Sequence, residues 1–208
     1  MLLQPGRYER CLESSPISAG WTPFRPQRPY GNPGFAIGST NGWLPDGLGV
    51  QAPETRLFSL RSEFHQSVLE VLNRSRHTLA LRDNDFSDWP LETPQAYEQF
   101  SRLLREPGAS LRLVVHSTDW LQKHGARFAQ LRRHFAGRIE CRLAPATIAP
   151  GEGLLIGDRI HLLRRARYDS FRGRLMLAMP EQVDPWWRKY ESLWQESSPC
   201  LAATTSGL

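Results

Sequence analysis

Lysine is almost missing from this chain. Of 26 basic residues in 208, only Lys123 and Lys189 are lysines. Cysteine is scarce as well. Cys11, Cys141 and Cys200 are odd in number, far apart and without CxxC spacing, which argues against a disulfide framework and against a zinc site. No apolar run approaches the ~18 residues that span a bilayer. The opening MLLQPGRYER lacks the basic-then-apolar order of a secretory signal. There is no GxSxG elbow, no HExxH, no P-loop and no internal repeat in the globular part. These absences predict a cytoplasmic protein with no membrane insertion, no cofactor and no resident metal.

What is present is arginine, with a net charge of +5. A planar guanidinium binds phosphate and carboxylate bidentately, so the bias suits anion recognition. A GC-rich genome produces the same bias without any selection for binding.

Residues 1–53 differ from the rest. Pro5, Pro16, Pro23, Pro26, Pro29, Pro33, Pro45 and Pro53 are interleaved with eight glycines. No helical or alternating period survives that density of breakers, which predicts a largely disordered leader. Trp21, Phe24, Tyr30, Phe35, Ile37, Trp43 and Leu44 stud it, and two readings compete: docking anchors for its own domain or for a protein partner, or incidental aromatics in a loose leader.

From residue 54 to 198 the pattern is globular, with a flexible tail over 199–208. Phe64, Val68, Val71 and Leu72 form one helical stripe in 61–75. HTLALRDND (77–85) reads as a strand. Thr93 before Pro94 starts a helix that stops at Pro107-Gly108. LRLVVHS (111–117) is the clearest strand. Asp119 caps a helix running to about residue 136, and RIECRLA (138–144) is a third strand. GEGLLIGDRIHLL (151–163) reads as a hairpin with a Gly-Asp-Arg turn. FRGRLMLAM (171–179) alternates as a strand. Asp184 caps a last helix from Pro185, with Trp186, Tyr190, Leu193 and Trp194 inward. Strand–helix–strand order predicts an α/β fold with a mixed, mostly parallel sheet and helices on both faces.

This layout resembles the phospholipase-D-like superfamily over about residues 57–197. The superfamily signature is a His, any residue, a Lys, four residues and an Asp, the first part on a strand. That spacing falls here on Gly151, Gly153 and Asp158, with LLIG supplying the apolar strand. LRDNDFSDWPL and the closing WWRKYESLWQES also resemble a poorly characterised proteobacterial family of degenerate phospholipase-D-like domains, found alone or beside acetyltransferase domains. The resemblance implies a histidine nucleophile and a lysine facing phosphoryl oxygens. Glycine offers neither a lone pair nor a positive charge, so the resemblance implies a scaffold without catalytic residues. Asp158 in its turn is good turn chemistry. Active relatives with one motif per chain pair two copies, which implies a homodimer.

Parallel sheets bind ligands at the carboxyl ends of their strands, which nominates a pocket of Asp83, Asp85, His116, Asp119 and Asp158. As a metal-assisted phosphoester hydrolase, Asp83, Asp85 and His116 would carry the chemistry. Capping and turn roles for these residues compete with that reading. The strongest surface signal is basic: Arg159, Arg164, Arg165, Arg167, Arg172 and Arg174, with Tyr168 interleaved. A second basic run is Arg127, Arg132, Arg133, His134 and Arg138. Arginines beside rings predict a binding or regulatory module for a phosphate-bearing ligand, with nucleic acid first. An adaptor acting through residues 1–53 is the third reading.

Overall fold

The structure is a computed structural model and describes residues 52–201. Chain order is β1 (Glu54–Phe58), α1 (Arg61–Arg74), β2 (Thr78–Asp83), a short 3-10 turn (Pro90–Glu92), α2 (Pro94–Arg105), β3 (Ser110–Val115), α3 (Asp119–His124), α4 (Ala126–His134), β4 (Ile139–Leu143), β5 (Gly153–Gly157), β6 (His161–Arg165), β7 (Gly173–Leu177), α5 (Pro180–Glu196) and β8 (Ser198–Pro199). One eight-stranded sheet runs β1-β7-β6-β5-β2-β3-β4-β8.

The sheet is mostly antiparallel, not mostly parallel as the sequence order predicts. Only β2–β3 and β3–β4 pair in parallel, while the other five pairings are antiparallel. The reason lies in the connections. A helical crossover joins β2 to β3 and β3 to β4, and each delivers a parallel neighbour. β5, β6 and β7 follow one another through short loops, which can give only antiparallel pairs. The connection from β4 then lays β5 against β2 in the opposite sense. β1 and β8 escape a sequence reading because each is short and partnered only through distant residues.

Side chains alternate across the sheet and fill two apolar layers. Leu79, Leu81, Leu111, Leu113, Leu155, Leu163 and Leu175 pack beneath the first four helices with Phe64, Leu72, Phe100 and Phe128. Ala80, Val114, Leu154, Ile156, Leu162 and Met176 pack beneath α5 with Val183, Tyr190, Leu193 and Trp194. β5 is buried along its whole length, as a strand covered on both faces must be.

Local chemistry sets the helix ends. The Glu63 carboxylate accepts from the Ser59 and Leu60 amides at the start of α1. Thr93 caps α2 by accepting from the Ala96 amide at 3.2 Å, with Pro94 in the first position. The helix expected over 119–136 is two helices. At Gly125 a Cβ would stand 2.3 Å from the Leu121 carbonyl oxygen, and the chain breaks there. α5 starts at Pro180 rather than Pro185. Pro185 lies inside it, and Asp184 pairs with Arg188 at 2.6 Å instead of capping. Ser198–Pro199 form β8, and Cys200 and Leu201, which fall in the expected 199–208 tail, pack against the core. The expected leader and residues 202–208 lie outside the described residues.

Candidate functional site

Two charged clusters flank the middle of the sheet, one on each face. Both come from neighbouring positions on the same strands. Arg82 and Asp83 are consecutive on β2, so their side chains leave opposite faces. Arg164 and Arg165 do the same on β6.

On the face of the first four helices, Arg165 and Asp83 form a fully buried ion pair at 2.8 Å. A second arm of Arg165 reaches Asp88 at 3.2 Å. Its guanidinium lies 5.2 Å from the Phe64 ring centroid and 5.9 Å from that of Phe171. Burial pushes the Asp83 carboxyl upward, against the adjacent guanidinium that favours its ionised form. The pair occupies the space in front of Gly153. A Cβ there would meet Asp83 Oδ1 at 2.9 Å and Arg165 Nε at 3.2 Å.

On the α5 face, three cations converge on one carboxylate. Glu152, just before β5, accepts from Arg164 Nε at 2.8 Å and from Lys189 Nζ of α5. Arg82 Nη1 stands 3.8 Å away. Burial alone would raise the Glu152 carboxyl, but the hydrogen bonds from Lys189 and Arg164 carry it below the ordinary range. Arg82 is 7 % exposed, and its Nε has no hydrogen-bond partner. His116 sits nearby with Nε2 also unpartnered. Burial and then the Arg82 charge push its imidazole below its usual pKa, so it is neutral at pH 7. Arg82, Glu152 and Lys189 open onto a cleft of about 570 Å³, lined also by Gly151, Ser192 and Glu196 among others. Its lining sets two cations, Arg82 and Lys189, against two carboxylates, Glu152 and Glu196.

A second cleft of about 280 Å³ adjoins the first across Ala166 and is lined by Leu57, Arg164, Arg172, Arg174, Met176 and Trp186. Arg164 stacks over the Trp186 ring at 4.4 Å, and Arg159 over Trp187 at 4.7 Å. Among the described residues, Arg172 and Arg174 make no side-chain hydrogen bond or ion pair. Trp186 and Trp187 are half-buried, and Trp186, expected inside, lines this second cleft. Sequence periodicity placed Trp186 with the core; the structure packs it half-buried at the edge of the α5-side layer.

The remaining nominated residues do not share this place. Arg165 is interior. Arg167 is exposed and paired with Asp169 at 2.6 Å. Tyr168 is exposed beyond β6. Asp85 accepts from the Ser87 amide at 2.9 Å and its hydroxyl at 2.8 Å. Asp119 opens α3. Asp158 lies at the far end of β2 from Asp83, where its carboxylate accepts from the amides of Arg76, His77 and Thr78. Asp83, Asp85, His116, Asp119 and Asp158 therefore form no single pocket. Among the described residues, no three His, Cys, Asp or Glu side chains converge as a metal site. Arg127, Arg138 and His134 of the second basic run are engaged by Glu92, the Leu104 and Glu106 carbonyls, and Tyr97.

A family model described as a domain of unknown function, DUF7931, matches residues 60–203. The chain belongs to the DUF7931 family. No curated protein matches it in sequence. In solved structures, this DUF7931 domain is similar to TrmBL2, an archaeal chromatin protein, with TM-score 0.53 and 15 % identity over 75 % of this chain and 56 % of that one. It is similar to Nuc from Salmonella typhimurium, a phospholipase D family member, with TM-score 0.50 and 12 % identity over 72 % of this chain and 99 % of Nuc. It is also similar to phosphatidylserine synthase from Haemophilus influenzae Rd KW20, with TM-score 0.52 and 12 % identity over 73 % of this chain and 40 % of the synthase. The chain thus spans about half of TrmBL2 and less than half of the synthase. The fold is phospholipase-D-like. No helix among the described residues is long and apolar enough to cross a membrane.

Proposed function

We propose that this DUF7931 domain is a non-catalytic phospholipase-D-like module that binds a phosphate-bearing ligand, nucleic acid, on its α5 face. One observation carries the proposal. Arg164, Arg172 and Arg174 line one cleft with Trp186, and the cleft has more guanidinium charge than the protein neutralises. Unneutralised guanidiniums beside an accessible indole suit a phosphate backbone with a base stacked on the ring. The adjoining cleft adds Arg82 and Lys189, both beside Glu152. TrmBL2, whose structure was described as showing a novel mode of DNA binding, shares the fold, and that likeness agrees with the reading.

The non-catalytic part rests on substitution of function by structure. Position 153 faces a buried Asp83–Arg165 pair rather than an open centre. Position 151 carries no group that can attack phosphorus. Fluorescence anisotropy with a labelled single-stranded oligonucleotide tests the reading. The full chain should bind at about 50 mM salt, and Arg172→Ala with Arg174→Ala should weaken binding about tenfold. Equal binding by the double variant, or hydrolysis of the oligonucleotide by the wild type, overturns it.

A further inference from the structure

Cys141 and Cys200 are 59 residues apart in sequence, yet their sulfurs lie 3.1 Å apart. The register of the last strand pair explains this. Arg142 faces Pro199 and Leu143 faces Ser198, so Cys141 and Cys200 are the next opposed pair, and the Cys200 amide donates to the Cys141 carbonyl at 2.9 Å. Residues opposite one another on antiparallel strands have Cα atoms ~4.5–5.5 Å apart, inside the span a disulfide bridges. Closing the bond needs the sulfurs to approach by roughly 1 Å, without a backbone rearrangement. Both sulfurs border a small surface cavity of about 180 Å³, which Arg132 also lines.

We propose that Cys141 and Cys200 form a peroxide-oxidisable dithiol that reversibly staples the C-terminal end of the domain to β4. Cys200 is the attacking sulfur. It is half-exposed, while Cys141 is buried. A hydrogen bond from the Cys141 thiol, then the nearby Arg132 charge, act against burial and favour the Cys200 thiolate. The same partner and burial hold Cys141 protonated. In the first step the thiolate attacks one oxygen of hydrogen peroxide. An S–O bond forms, the O–O bond breaks, and the departing hydroxide takes a proton to leave as water. In the second step the Cys141 sulfur attacks the Cys200 sulfenic acid. The S–S bond forms, the S–O bond breaks, and the hydroxyl leaves as water with the Cys141 proton. Each sulfur gives up one electron, peroxide accepts both, and the sum is two thiols and one peroxide giving one disulfide and two waters.

The bond has a structural reach. β8 follows α5 directly. From β4, Arg142 donates to the Trp194 carbonyl at 2.9 Å and stacks on the Trp194 ring at 4.3 Å. Oxidation adds a covalent tie at the same junction, one turn beyond the helix whose Lys189 and Ser192 wall the larger cleft.

The test uses the reduced full-length wild type and needs no variant. The protein is treated with one equivalent of hydrogen peroxide, alkylated and mapped by peptide mass spectrometry. The expected result is a monomer lighter by two hydrogen atoms, a peptide joining residues 141 and 200, Cys11 still alkylated, and full return of the thiols with dithiothreitol. The oxidised protein should also melt roughly 5–15 °C higher. Oxygen added to Cys200 without a cross-link, a cross-link to Cys11 or between chains, or both thiols surviving the peroxide, overturns the proposal. An unchanged or lower melting point assigns the bond to a distorted chain and overturns it as well.

Discussion

Arg164 of β6 and Arg174 of β7 stand directly opposite one another on adjacent antiparallel strands, both on the α5 face. Like charges at opposed positions destabilise a sheet by a few tenths of a kcal/mol or more. Glu152 serves Arg164 at 2.8 Å, and among the described residues no carboxylate serves Arg174. Stability and ligand binding are therefore expected to move in opposite directions on substitution. Arg174→Glu should raise the unfolding free energy by ~0.2–1 kcal/mol while weakening oligonucleotide binding. Thermal melts and anisotropy on one preparation check both. A variant that loses stability, or that binds as well as wild type, contradicts the placement of this charge.

Gly153 faces the Asp83–Arg165 pair with no room for a side chain. Restoring the superfamily residues there should damage the fold rather than recover chemistry. Gly153→Lys is expected to cost about 2–4 kcal/mol through overpacking and an unpaired buried charge. The double change with Gly151→His should remain inactive on a chromogenic phosphodiester. Denaturant melts measure the first expectation. Turnover by the double variant contradicts the second.

Asp158 holds three amides at the entry to β2 while its own backbone takes φ +48° in the β5–β6 turn. Removing its carboxylate leaves those donors without their acceptor. Asp158→Ala should cost about 2–4 kcal/mol, read by urea unfolding, and should leave oligonucleotide affinity per folded molecule unchanged. Lost affinity with unchanged stability points to a functional Asp158 instead.

His161 is buried, and its Nδ1 accepts a hydrogen bond from the Ala178 amide at 3.1 Å. Burial lowers its pKa from the ordinary 6.5; Asp158 opposes this and Arg74 adds to it, with Glu70 opposing last. His116 shifts in the same direction through burial and Arg82. A histidine with a lowered folded pKa takes up its proton first in the unfolded chain. Stability is therefore full above pH 6.5 and falls as pH drops from there toward the folded value. His161→Asn keeps an acceptor without titrating, so it should flatten part of that slope. An unchanged slope in pH-dependent melts contradicts the assignment.

Periodicity made most elements readable. The stripe Phe64, Val68, Val71, Leu72 and the cap Thr93–Pro94 gave α1 and α2 within a residue or two. Strand direction was less legible, because local pattern does not say which distant strand becomes a neighbour. β5 beside β2 and β1 beside β7 are decided by the whole core. Site residues split for a related reason. Arg164 and Arg165 are indistinguishable as neighbours in a basic run, yet a strand sends one to the surface cleft and the other into the interior. Cys141 and Cys200 looked too far apart to pair until β8 was in place. Glu152, Arg82 and Lys189 carried no motif and meet only in three dimensions.

The central claim is that the α5 face binds a polyanion through Arg164, Arg172 and Arg174. The most direct measurement is the dependence of oligonucleotide affinity on salt, for wild type and for the Arg164→Ala, Arg172→Ala, Arg174→Ala triple variant. The account predicts a steep linear fall of log affinity with log salt in the wild type, and a slope shallower by about 2 in the variant, ~0.7 for each lost phosphate contact. Identical slopes for the two proteins would contradict it.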